Sequence, residues 1–167
     1  MALTDRFIVQ SMLTFLAAIL LLAGLVGLYA FQAQEAGRLG AVGFSTAFFG
    51  TSLILGDFYA NTFVTPALAI GVPEALDVHN AGVLVFWLPL EFGFLTLAWF
   101  PFAVATLRAG VYPRAAAWVL VVGVLVALVP LPYVNVPFDV AVAWLGIALM
   151  RQSASPSPPR HLRRVRA

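Results

Sequence analysis

Three carboxylic acids lie inside apolar stretches of this chain: Glu91, Asp139 and Asp57. Glu91 stands ten residues into the apolar run 81–107, which is about 15 Å along a helix at its ordinary rise. No Lys, Arg or His lies at comparable depth to pair with it. An ionisable group buried in a bilayer costs several kcal/mol and is a functional candidate by default. Burial penalises the charged form, so a carboxyl at that depth favours its protonated state. Two chemistries then stay open. The acid relays a proton or handles a cation, or it donates one structural hydrogen bond to a carbonyl on a neighbouring helix. Pro89 and Pro101 in the same run free such acceptors, because proline cannot donate to the preceding turn.

Asp139 falls about 7 Å into the last apolar run by the same rise. Ala143 and Gly146, four and seven residues on, share its helical face, which predicts that it points into a bundle. Asp57 ends the second apolar run and is followed by Tyr59, Asn61 and Thr62. With Tyr133 and Asn135 these residues are expected to form one polar cluster, able to receive a cation or a small polar ligand. The competing reading is an interfacial belt of aromatic and polar side chains.

Most other chemistries are excluded by composition. The chain has no cysteine, so disulfides, thiolate zinc sites, iron–sulfur clusters and a cysteine nucleophile are ruled out. His79 and His161 both lie outside the apolar runs, which leaves no pair of facing histidines for a membrane haem. No phosphate-cradling loop, HExxH motif or nucleophile elbow occurs. Ser45, Thr51 and Ser52 have no base opposite them for hydrolase chemistry. The expectation is therefore a non-catalytic protein that needs no cofactor.

The elements that must position the acids are transmembrane helices. The chain has 167 residues, 62% hydrophobic and only 10% charged, against roughly 25% charged in soluble domains. An apolar stretch of about 20 residues crosses a bilayer as a helix. Residues 7–31, 39–59, 81–107 and 115–131 qualify. The first is too long for the roughly 7–15-residue core of a signal peptide and reads as a retained span. Pro130, Pro132 and Pro137 break the final apolar segment, giving a short fifth span over 134–150, with a re-entrant hairpin as the alternative. Trp118, beside Arg114, fits an interfacial belt, while Trp87, Trp99 and Trp144 lie within spans and read as packing or lipid-facing.

Charge sets the orientation. With the C-terminus inside, Arg38, Arg108, Arg114, Arg151 and the tail arginines collect on the cytoplasmic side. The outer side keeps Arg6, Glu74 and Asp77. This is the positive-inside pattern, and a four-span layout would violate it. Residues 1–151 thus form one helical bundle and residues 152–167 a flexible basic tail. Arg160, Arg163, Arg164 and Arg166 either attract anionic headgroups, at about 1 kcal/mol each near the surface, or serve only as a topology determinant. Nucleic-acid binding is not expected of so short a tail.

Small residues point to helix seams. Gly37, Gly40, Gly43, Ala47 and Gly50 line one side of the second span, and Gly24, Gly27 and Ala30 line the first. The short 32–38 connection predicts an antiparallel hairpin that presses these two stripes together. The run LLLAGLVGLYAFQAQEAGRLGAVGF (20–44) resembles a segment found in uncharacterised multi-span membrane proteins of GC-rich bacteria. LRAGVYPRAAAWVLVVGVLVALVPLP (107–132) and AWLGIALMR (143–151) are similar to the same group. The resemblance implies a multi-span helical fold and no activity, so it carries over no functional residue. Such proteins often have one more N-terminal span, and an upstream in-frame hydrophobic segment is the corresponding expectation here.

The fold class predicted is an all-α transmembrane bundle of about five spans at the plasma membrane, the bacterial inner membrane. Its expected role is support or assembly with a membrane-protein partner or a second copy. The alternative is a small proton- or cation-coupled transporter or channel using Glu91, with Asp139 and Asp57.

Overall fold

The computed structural model describes residues 5–76, 84–129 and 135–154, with backbone alone for residue 75 and for residues 84–92. All regular structure among the described residues is helical. Helix α1 (Asp5–Tyr59) runs through a five-residue π-helical segment (Ala60–Val64) into α2 (Thr65–Gly71) and a 3-10 turn (Pro73–Leu76). Helices α3 (Leu84–Ala109), α4 (Arg114–Val126) and α5 (Val136–Ala154) complete the order. Asp77, His79, Pro130, Pro132, Tyr133 and the tail arginines Arg160, Arg163, Arg164 and Arg166 lie outside the described residues. So do the side chains of Trp87 and Glu91.

Helix α1 is in fact two helices joined at one residue. Gly37 has φ 55° and ψ −143°, a conformation open essentially to glycine. There the chain folds back on itself. Tyr29 stacks on Phe44 with ring centroids 4.4 Å apart, Phe15 meets Phe63 at 5.6 Å, and Thr62 donates to the Ser11 carbonyl at 3.0 Å. Each pair is nearly symmetric about Gly37, so residues 5–36 (the first limb) and 38–59 (the second limb) form the expected antiparallel hairpin.

The glycine stripes, however, do not face each other. A Cβ built on Gly43 would lie 2.6 Å from the Phe102 nitrogen and 2.8 Å from the Pro101 carbonyl carbon, both in α3. One at Gly50 would lie 2.8 Å from the Ala98 Cβ. Gly27 of the first limb looks toward Leu149 of α5, and Gly24 has nothing within 4 Å. Within the hairpin the closest glycine contact is Gly40, beside Ala36 and Tyr29. Aromatic packing of Tyr29 and Phe44 holds the two limbs apart at ring thickness, which leaves the small faces free to receive other helices. Thr46 strengthens this seam with α3: its hydroxyl lies 2.8 Å from the Ala98 carbonyl and 3.0 Å from its own Gly43 carbonyl.

A second seam of the same kind joins α4 to α5. A Cβ on Gly123 would lie 2.6 Å from the Phe138 nitrogen and 2.9 Å from the Pro137 carbonyl carbon. Pro137 stands in the first turn of α5, where a missing N–H costs nothing. Helix α3 ends with Gly110 at φ 63°, the usual left-handed stop, and Pro113 starts α4 from an extended conformation.

The lengths differ from expectation in three places: past residue 59, the expected end of the second span, helix continues through Ala60–Val64 to Gly71, and α4 and α5 depart as well. Helix α4 spans 13 residues, about 20 Å, and ends in tightened turns at Ala127–Leu128–Val129 rather than reaching residue 131. Pro130 follows directly, and the residue before proline disfavours the helical region. Helix α5 is one unbroken helix of 19 residues, about 28 Å, and it carries helix to Ala154, into the expected tail.

Gly43→Ala should lower the thermal unfolding midpoint clearly, because the new methyl meets backbone and α3 must shift, at about 1–3 kcal/mol. Gly24→Ala, with open space around it, should be neutral or slightly stabilising through helix propensity. Equal midpoints for the two variants in detergent or nanodiscs would contradict the seam.

Candidate functional site

At the end of the bundle that carries the chain's first residues, the helices line a partly open cavity of about 520 Å³. That lies within the roughly 300–1,000 Å³ usual for small-molecule sites. Every helical limb contributes. The first limb supplies Thr14, Ala17, Ala18, Leu20 and Leu21, and the second supplies Ile54 and Phe58. Leu95, Thr96 and Trp99 come from α3, and Val124 and Ala127 from α4 and its terminal turn. Helix α5 gives Phe138, Asp139, Val142 and Ala143, with Asn135 just before it. The α5 residues repeat at three and four, so two successive turns of one face form a wall.

Trp99 forms the floor and is fully buried. Its ring meets Phe138 edge-on at 4.9 Å and Phe102 at 5.6 Å, and its Nε1 donates to Thr51 Oγ1 at 2.9 Å. One side chain thereby ties the second limb, α3 and α5 together. Beyond this floor the bundle is filled: Leu25, Leu28, Ala103, Tyr112, Leu120 and Leu145 are all buried in one cluster. The cavity is blind at that end.

The polar groups beyond the floor are structural. Gln32, fully buried, donates from Nε2 to Thr106 Oγ1 at 2.9 Å, linking the first limb to the end of α3. Its Oε1 accepts from no described group, at a cost of about 1–3 kcal/mol. Tyr112, in the α3–α4 connection, donates to the Leu28 carbonyl at 3.0 Å. Burial pushes the Tyr112 phenol up to about 12.

The three acids separate in space. Asp139 lines the cavity and no described side chain donates to it. Asp57 does not line it; its carboxylate accepts from Asn61 Nδ2 at 3.1 Å, one turn along the same helix. Glu91 belongs to α3, one turn before Leu95, with its side chain outside the described residues. The polar cluster expected from the sequence is therefore divided. Asn135 is at the cavity, Asp57 and Asn61 pair locally, and Thr62 bonds the Ser11 carbonyl. Tyr59 packs with Phe15 and Phe63. A helix places residues 57 and 58 about 100° apart, so Phe58 takes the cavity wall and Asp57 turns away. Trp99 and the apolar wall were missed by a search for charge, since their only sequence signal is helical spacing.

Among the described residues no group of three His, Asp or Glu could hold a metal ion. One helix, Asp5–Gly71, is long and apolar enough to cross a membrane; by length, composition and position it is a candidate membrane span or signal sequence. Comparison with known protein families, curated proteins and solved structures finds no match to this chain.

Tyr112 sets an alkaline limit on stability. Its folded-state value of about 12 stands above the ordinary value near 10. Its contribution is therefore full below about pH 10 and is lost as pH rises through about 12. Tyr112→Phe should be less stable at pH 8 for want of the Leu28 bond, yet should lose less further stability between pH 10 and 12 than the parent. Parallel losses in that window would rule out a buried neutral phenol.

Proposed function

We propose that this chain is a five-span integral membrane protein, N-terminus outside and C-terminus cytoplasmic, that works by binding or assembly and not by catalysis. One observation carries the reading: the outer surface of the bundle is as apolar as its core. Side chains facing outward include Leu13, Leu16, Phe49, Leu97, Val122 and Ile147, drawn from α1, α3, α4 and α5, whereas Gln32, Thr51 and Thr106 are buried. Soluble monomers rarely expose contiguous apolar patches larger than a few hundred Å². A soluble core helix would be mostly buried, but the most apolar window of Asp5–Gly71 is 17% buried.

Further observations support the span count. Folding back at Gly37 divides the long helix into two limbs, each longer than the ~30 Å hydrocarbon core at ~1.5 Å per residue. The first limb is bonded into the bundle through Gln32 and Ser11, which favours a retained span over a cleaved signal. The shortness of α4 is accommodated by local thinning of the bilayer or by the turn that follows it. Arg38, Arg108, Arg114 and Arg151 all fall at helix ends on one side of such a bundle, and Glu74 on the other. The positive-inside rule then assigns the arginine side to the cytoplasm. The tail arginines Arg160, Arg163, Arg164 and Arg166 would continue that side toward anionic headgroups.

A second reading, a proton- or cation-coupled transporter, is favoured by Asp139 at the cavity wall. It requires a path through the filled half of the bundle, so the static component is the better fit. The two differ in flux: under the first reading, proteoliposomes of wild type and Asp139→Asn leak protons alike.

Because the chain has no cysteine, single cysteines report topology without background. Val72→Cys should react with a membrane-impermeant maleimide in intact cells, whereas Arg114→Cys and Gln152→Cys should react only after permeabilisation. Labelling of Arg114→Cys from outside, or of no site without denaturation, would reject the five-span arrangement.

A further inference from the structure

The cavity is asymmetric along the bundle, and the asymmetry selects a ligand class. At one end its wall carries Asn135 and Asp139, both exposed. Deeper in, the wall is Leu21, Ile54, Trp99, Val124 and Val142. Between residues 135 and 143 the chain rises about 12 Å, so a polar mouth leads to an apolar shaft of roughly that depth. No described arginine lines it. An acid in a first helical turn is favoured by the helix dipole, which explains its position on α5 but gives its carboxylate no counter-charge. A charge at an apolar wall without a partner is costly, and a cation offsets that cost.

The wall is also open sideways. Leu20, 63% exposed, and Ala143, likewise exposed, line the cavity from the first limb and from α5. The same two helices meet where Gly27 looks toward Leu149. Their seam is thus shut at the arginine end and parted beside the cavity, and on the five-span reading, on which this inference rests, the parted side meets the outer leaflet.

We propose that the cavity binds an amine-headed amphiphile entering from the bilayer between the first limb and α5. The ammonium sits between the Asp139 carboxylate and the Asn135 amide oxygen, and the hydrocarbon body lies against Leu21, Trp99 and Val142. An anionic head meets repulsion from Asp139, and an uncharged head leaves the carboxylate unpaired.

Trp99 supplies the reporter. In a variant with Trp87, Trp118 and Trp144 changed to Phe, in phosphatidylcholine nanodiscs, quenching of Trp99 is followed with undecylamine, undecanol and undecanoate, each brominated at the chain end. The amine should quench saturably at about tenfold lower concentration than the alcohol, the gain expected of a charged hydrogen bond, with the carboxylate weakest. Asp139→Asn should move the amine to the alcohol's curve and leave the alcohol unchanged, and Ala143→Phe should block all three. Equal curves for amine and alcohol, an amine curve indifferent to Asp139→Asn, or quenching that never saturates would overturn the proposal. Maleimide labelling at Val72 and Arg114 separates the failures. If the topology holds and the amine preference is absent, the ligand proposal alone is wrong. If the topology is reversed, both readings fall.

Discussion

At Gly43 the second limb of α1 lies so close to α3 that a methyl group would sit 2.6 Å from a backbone nitrogen. Gly123 makes the same approach to α5, and in both cases the surface met is a Pro–Phe step, Pro101–Phe102 or Pro137–Phe138. On the proposed membrane reading, there is little to gain by burying one apolar side chain against another in preference to acyl chains. Close backbone approach, with its dispersion contacts and Thr46-type hydrogen bonds, then decides which helices meet. Glycine opposite a proline step allows that approach twice in this chain, and each time the phenylalanine is turned toward Trp99.

From this constraint the cavity follows. Two tight seams bring α3 and α5 against the same indole, while the hairpin limbs are spaced by stacked aromatic rings. Helices crossing closely at one level diverge at another. Toward the arginine end, Leu25, Leu28, Leu120 and Leu145 fill the space, and at the other end Ala17, Ala18, Ala127 and Ala143, small residues set among larger ones, leave part of it open. The site is thus a consequence of where large and small residues fall along the same faces. Asp139 gains its place there by lying one turn into α5, beside Phe138, whose ring is fixed by Trp99.

Much of this was legible in the sequence. Apolar runs and prolines located most helix ends to within a few residues, because a missing N–H leaves a signal in the chain itself, but the helix continuing from Ala60 to Gly71 was not foreseen. The hairpin at residues 32–38 was readable for a different reason, as a short polar connection with a glycine. What was not readable was pairing. Stripes of small residues announce a seam without naming the partner, and the stripe on the second limb meets α3, not the first limb. The acids show the same limit: Asp57 and Asp139 look alike by composition, yet one is paired with Asn61 and the other lines the cavity. That distinction depends on helix rotation, which Trp99 fixes through its ring contacts with Phe102 and Phe138 and its hydrogen bond to Thr51.

The central claim is that the first limb closes onto α5 while the second closes onto α3, giving a ring around the cavity. Disulfide trapping in membranes tests it most directly, since no native cysteine competes. The pair Gly27→Cys with Leu149→Cys should cross-link under oxidation or with a short bis-thiol-reactive reagent, because a Cβ on Gly27 lies 3.6 Å from Leu149 Cδ2. The pair Gly27→Cys with Thr46→Cys should not, because Thr46 is turned toward Ala98 of α3. Efficient trapping of the second pair and none of the first would mean that the limbs bury their small faces against each other, and the ring and its cavity would be contradicted.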